Sequence, residues 1–494
     1  MLGMYIHMHW SYKHPYAART WDLGDWRNYL QGLRSLGYDF VMIWPMLDSM
    51  PPQPTESDLA FLDKLGKVIR MAQDEMGMRV GFVSCPNTIG NAKSSEYGFE
   101  ERPYFACERK IDPGDPAAVE GFLAGRRRQF APISHADFVA IIDSDPGGFI
   151  GSTNEEFVAL MSGQIGVLRE MNPRAELVYW MHFGWERYNR FWAEAQRWQP
   201  GDPPIDYTTD PQVFHDTLAL ARERLPEPWW VLANNWMPGH REATDALGIA
   251  DKRCGLHYGL IEGEPSFPFS NCNPGMIADA VRGYEPTDFP RGFLANAQTH
   301  VLQLPHTYLV AEHWLNGADA KPDLAAFADR VIPGCGERIA RAWMALESGD
   351  APNLRACARD VRAMAGDTHP EGPSSGLLMG SAERFLGDLA MNLDVRASFA
   401  ELAAALDDEP AGGGDVRAAL RRMLADLRPY QERLGFVDAY GGPLHTGFNQ
   451  QVARLGDPEI DAVLEQFEDW RDPAIRHGIL PKLLEAVEAC CERG

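Results

Sequence analysis

Eight strand-like apolar runs, most of them separated by segments of helical periodicity, constrain this chain more than any other feature of its sequence. The runs lie at 3–9, 39–44, 79–85, 137–143, 176–182, 229–235, 254–261 and 292–298. Apolar residues recur at helical spacing over 22–36, 57–76, 116–130, 154–171, 210–224 and 274–283, with 241–250 the weakest such segment. Cap-like residues agree with these limits. Thr20 or Asp22, Ser57, Asp115 before Pro116, Asn154, and Asp210 before Pro211 stand at helix starts, while Gly37 and Gly77 follow helix ends. Strands that alternate with helices eight times over predict an α/β fold, a (β/α)8 TIM barrel, spanning residues 1–317. Beyond it the strand signal disappears. Ala/Leu/Arg-rich helical patterns fill 318–494 and predict a C-terminal helical domain packed on the barrel, with no chemistry of its own.

Composition narrows the function classes. At 494 residues and 45% hydrophobic, the chain can bury a large core. Its net charge of −24 argues against a broad nucleic-acid or anionic-membrane surface, either of which needs a positive patch. No apolar stretch reaches the ~20 residues of a membrane span, and the first residues lack the features of a signal peptide, so a cytoplasmic protein is expected. The eight cysteines show no CxxC spacing and read as reduced thiols, with no structural zinc.

The chemistry is expected where barrel enzymes keep it, at the carboxyl ends of the strands. The run His135-Ala-Asp-Phe-Val-Ala-Ile-Ile-Asp-Ser-Asp-Pro-Gly-Gly148 ends in two carboxylates, Asp143 and Asp145, and a Pro-Gly-Gly turn. Two residues apart, they face one side if the strand persists. The 254–261 run closes similarly on Glu262 and Glu264. Around them the other strand ends offer His7, His9, Trp44, Asp48, Asn87, His182, Trp185, Arg187, Asn234, Asn235, Trp236, Gln298 and His300. Aromatic rings beside amides and carboxylates suit a sugar, which has apolar C–H faces and a belt of hydroxyls. Arg102 and Arg187 match the carboxylate of a sialic or uronic acid, the plainer reading of both being ion pairing.

On these residues the chain resembles the glycoside hydrolases built on (β/α)8 barrels. In the large clan with its acid on strand 4 and second carboxylate on strand 7, the matching positions are Asp143 or Asp145 and Glu262 or Glu264. In the hexosaminidase-like barrels a strand-4 pair does the work, and Asp143-Ser-Asp145 is similar to that as well. The segment Ala311-Glu-His-Trp-Leu-Asn-Gly317 looks like the barrel-to-bundle junction of such enzymes. The resemblance implies an exo-acting glycosidase on a small glycoside or glycan terminus, an acidic sugar included. It would use carboxylates in acid/base roles with His182 as a further catalytic candidate, and no cofactor or metal. The partner is then a small carbohydrate, with no nucleic acid and no membrane, and a homo-oligomer is left open.

Two other classes compete. His7-Met-His9 is similar to the HxH pair of metal-dependent amidohydrolase-type barrels, with His182 as a third ligand. The other is a non-catalytic sugar-binding barrel.

Overall fold

A computed structural model of the chain describes residues 1–8, 18–102, 107–197, 199, 202, 211–234, 239–261, 272–297, 300–367, 377, 381–408, 414–434, 448–466 and 473–493. Eight parallel strands close into a barrel: β1 (Leu2–His7), β2 (Phe40–Trp44), β3 (Arg79–Ser84), β4 (Phe138–Ile142), β5 (Glu176–Met181), β6 (Trp229–Asn234), β7 (Arg253–His257) and β8 (Phe293–Ala297). Each follows its expected run, and β8 returns to β1, where the Phe293 amide donates to the Met1 carbonyl at 3.0 Å. The intervening helices are α1 (Leu23–Ser35), α2 (Glu56–Met76), α3 (Pro116–Phe130), α4 (Asn154–Arg169), α5 (Trp185–Ala195), α6 (Pro211–Arg224), α7 (His240–Ala246) and α8 (Pro274–Arg282). From α9 (Leu304–Asn316) onward every regular element among the described residues is helical, so the fold is a (β/α)8 barrel followed by a helical domain.

Local chemistry sets the helix starts. Asp22 caps α1 and closes a reciprocal box with Asp25, and Asp115 caps α3 ahead of Pro116. The caps of α2 and α4 are Thr55 and Thr153, not Ser57 and Asn154. Ser57 Oγ instead accepts from the Phe99 amide at 2.6 Å, and Asn154 Oδ1 accepts from the Thr217 hydroxyl at 3.1 Å.

The chain forms two compact units. One comprises Met1–His9, Gly37–Tyr258 and Arg282–Asn296; the other comprises Trp10–Leu36, Gly259–Val281 and Ala297–Gly494. The boundary expected after 317 lies within the second, because α1 is tied to distant parts of that unit. Tyr29 Oη lies 2.8 Å from His300 Nδ1, Arg330 donates to Ser35 Oγ at 3.2 Å, and a Cβ on Gly32 would come within 2.4 Å of Leu377 Cγ.

Strand alternation fills the barrel interior with Tyr5, Phe40, Met42, Trp44, Val83, Phe138, Ala140, Ile142, Val178, Trp180, Trp230, Leu232, Leu256, Tyr258 and Leu294. Large rings at the amino end fit only because glycines stand beside them. Gly3 is in register with Phe40 and Gly81 with Phe138, and a Cβ at either glycine would meet the ring at 2.3 or 2.0 Å. Gly81→Ala is therefore expected to destabilise the fold by about 1–3 kcal/mol through overpacking. Combining it with Phe138→Leu should restore part of the loss in denaturant unfolding. An unchanged midpoint in the single variant would contradict this packing.

Candidate active site

The carboxyl ends of β1, β2 and β5, with the residue after β7, carry a compact aromatic patch. The His7 ring lies 5.6 Å from Tyr5 and 5.4 Å from Trp44. Trp180 lies 5.8 Å from Trp44 and 5.2 Å from Tyr5, and Tyr258 lies 6.2 Å from Tyr5. All five are inward-facing and buried, as inward parity on these strands requires. The Trp180 indole N–H has no hydrogen-bond partner among the described residues.

Asp143 and Asp145 have different surroundings, because the strand on which they would share a face ends at Ile142, before either of them. Phe138, Ala140 and Ile142 point into the barrel, so Ser144 shares their parity while Asp143 follows Val139 and Ile141 outward. Asp143 is fully buried. Its carboxylate accepts from Tyr179 Oη at 2.9 Å and from the amides of His182 (3.1 Å), Phe183 (2.9 Å) and Gly184 (2.9 Å). Burial raises its pKa to about 6 against the pull of these donors. It is a positioning residue that fixes the turn from β5 into α5, where Gly184 has φ +79° and a Cβ would meet Val213 at 2.3 Å. Asp145, beyond the strand, is exposed.

His182 hangs from that turn, half-buried, with Nδ1 2.6 Å from the buried Ser144 hydroxyl. Burial lowers its pKa to about 4, so the imidazole is neutral at pH 7. Asn234, at the end of β6, is buried, and its carbonyl lies 2.8 Å from His240 Nδ1.

Four expected ligand-binding residues serve other purposes. Asn87 is buried and clamps backbone: its amide nitrogen donates to the Ile111 and Gly148 carbonyls (2.8 and 3.1 Å), and its oxygen accepts from the Gly148 amide (3.1 Å). Arg102 is buried with Asp58, 2.7 Å away, the same carboxylate that completes the α2 capping box. Trp185 is buried, stacked on Phe157 at 5.1 Å, with Nε1 donating to Ser152 Oγ. His300 is enclosed in the second unit between Tyr29 and Trp21. Arg187 is half-buried, 3.9 Å from Glu194. Glu262, Glu264, His9, Asn235, Trp236 and Gln298 lie outside the described residues.

The structure adds a hairpin that the strand-end reading did not select, and it seats the expected Asp48 beside it. After β3 the chain makes a small hairpin of Thr88–Gly90 paired antiparallel with Glu108–Lys110. The buried Asp48, in the turn after β2, accepts from Trp44 Nε1 at 3.1 Å. That turn begins at Met46, a non-glycine residue in left-handed backbone conformation (φ +53°). No group of three metal-ligating side chains occurs among the described residues, and none of their helices is long and apolar enough to cross a membrane.

Protein-family models and curated proteins give no match to this chain. Among solved structures it is similar to a GH138 enzyme targeting pectin rhamnogalacturonan II, with TM-score 0.50 and 10% identity over 96% of this chain and 68% of that one. It is also similar to the Thermobaculum terrenum O-GlcNAc hydrolase, with TM-score 0.41 and 12% identity over 94% and 96% of the two chains. A GH115 4-O-methyl-α-glucuronidase with specificity for decorated arabinogalactans gives TM-score 0.44 and 10% identity over 87% and 58%. At 10% identity the likeness to the GH138 enzyme is one of fold.

Asp143→Asn places an amide N–H₂ among backbone donors and is expected to lower stability by about 1–3 kcal/mol. Because the folded pKa is raised, the carboxyl contributes stability that is present at low pH and lost as pH rises through about 6. The gap between wild type and variant should therefore widen from about pH 7 to about pH 5 in denaturant titrations. A gap that narrows on acidification would contradict the assigned burial.

Proposed function

We propose that this chain is a glycoside hydrolase that releases a terminal sugar from a small glycoside or glycan. The observation that carries the reading is Asp145, an exposed carboxylate just past a barrel strand end, on the rim that also bears the aromatic patch. His7 and Tyr258, the most exposed members of the patch at 8% each, supply the ring faces for the C–H side of a pyranose, and the buried Tyr5, Trp44 and Trp180 back them. Arg102 is committed to Asp58, so an acidic sugar loses one of the two pairings that motivated it.

Asp145, open to solvent, is the base that takes a proton from the attacking water, with inversion at the anomeric carbon. Asp145→Asn is expected to lower kcat on aryl glycosides by roughly 10²–10⁴-fold while the protein still unfolds in one cooperative transition. The product formed first, read by proton NMR, should be the inverted anomer, and a chelator should leave the rate unchanged. Retention would make Asp145 a nucleophile. Loss of activity to a chelator, with recovery on Zn²⁺, would move the chain to the metal-dependent class.

A further inference from the structure

The mouth receives a second carboxylate from an element that is not a barrel strand. In the hairpin, Gly90 is in register with Glu108, and the Gly90 amide donates to the Met50 carbonyl at 2.7 Å. A Cβ on Gly90 would lie 2.4 Å from the Met50 carbonyl carbon, so the hairpin is pressed against the turn that carries Asp48. At its other end the Ile111 amide donates to the Asn87 carbonyl, and the Asn87 side chain bridges Ile111 to Gly148, three residues after Asp145. Alternation along Glu108–Lys110 puts Glu108 and Lys110 on one face and the exposed Arg109 on the other.

We propose that Glu108 is the general acid that protonates the departing glycosidic oxygen, opposite Asp145. This rests on the glycosidase reading of the same mouth. The residue is half-buried, yet its Oε2 is fully enclosed with no hydrogen-bond partner among the described residues, a costly arrangement for an ionised carboxylate. Burial holds its pKa well above the ordinary carboxylate range. Asp48 after β2 and Asp145 after β4 push the same way, and Lys110 on its own strand pulls back. Cys85, past the end of β3, is a buried thiol whose own pKa burial pushes up. The Lys110 ammonium lies 5.0 Å from the Trp192 ring and 5.9 Å from Tyr188, and burial lowers its pKa. A secluded carboxyl kept protonated beside an exposed carboxylate is the division of labour that acid/base hydrolysis needs. Glu108 gives its proton to the glycosidic oxygen as the C–O bond breaks and that oxygen keeps the electron pair. Water adds to the anomeric carbon and passes its proton to Asp145, and solvent exchange returns both carboxyls to their starting states.

The test compares Glu108→Gln with wild type on two leaving groups across a panel of neutral, N-acetylated and uronic glycosides. Dinitrophenolate departs without protonation and an alkoxide does not. The variant should lose roughly 10²–10⁴-fold on alkyl glycosides but stay within about tenfold on dinitrophenyl glycosides, and the alkaline limb of its kcat/KM profile should vanish. Asp145→Asn should slow both substrates alike. Equal loss on both in Glu108→Gln, or no loss, overturns the assignment. If that variant does not fold, Glu108→Asp, whose donor is set back by one methylene, must keep the alkaline limb and lose more on alkyl than on dinitrophenyl glycosides; a vanished limb or equal loss overturns it as well. A wild type that cleaves nothing in the panel overturns the glycosidase reading itself, which separates the two failures.

Discussion

The mouth of this barrel depends on one buried cation. Arg126, on α3, is fully enclosed, and its guanidinium donates to the carbonyls of Leu47 (3.1 Å), Thr88 (2.8 Å) and Cys85 (3.3 Å) and to Gln129 Oε1 (2.6 Å). Leu47 belongs to the turn bearing Asp48, Cys85 ends the β3 run, and Thr88 starts the hairpin that presents Glu108. A planar fork of donors suits three carbonyls arriving from different directions, and a lysine would supply neither the reach nor the geometry. Burial lowers the Arg126 pKa to about 10, and the group remains charged at neutral pH. Removing it would leave loop carbonyls unpaired in a dry site and release the segments that hold two of the acidic groups together.

Around that anchor, the same residue type does different work according to its surroundings. Asp143 is enclosed by amide and hydroxyl donors and holds a turn; Asp145 is open to water; Glu108 is secluded with an unpaired oxygen. The Pro-Gly-Gly turn that follows Asp145 has its own reason. A Cβ at Gly147 would meet Pro86 at 2.7 Å, and one at Gly148, where φ is +100°, would meet Asn189 at 2.9 Å. Only glycine lets this backbone lie close enough to Asn87 for the clamp that joins the hairpin to the β4 turn.

The barrel was legible because eight apolar runs and their helices leave few topologies open. The inward or outward sense of Asp143 was not. Both faces of β4 are apolar, Phe138, Ala140 and Ile142 on one and Val139 and Ile141 on the other, as parallel strands covered on both sides require, so no alternation in the letters marks which side is the interior. The Glu108 hairpin was hidden for a different reason. Its strands are three residues each, too short for periodicity, inside a loop where Arg102 drew attention as a cation. Arg102 pairs with Asp58 across 44 positions of sequence, and His300 with Tyr29 across 271, partnerships that only the folded chain brings together.

The most direct test of the whole account is a crystal structure of Asp145→Asn holding an intact glycoside. The terminal ring must lie over His7 and Tyr258, with its glycosidic oxygen about 3 Å from the Glu108 carboxyl. A sugar bound away from those rings, or one whose glycosidic oxygen points away from Glu108, would contradict it.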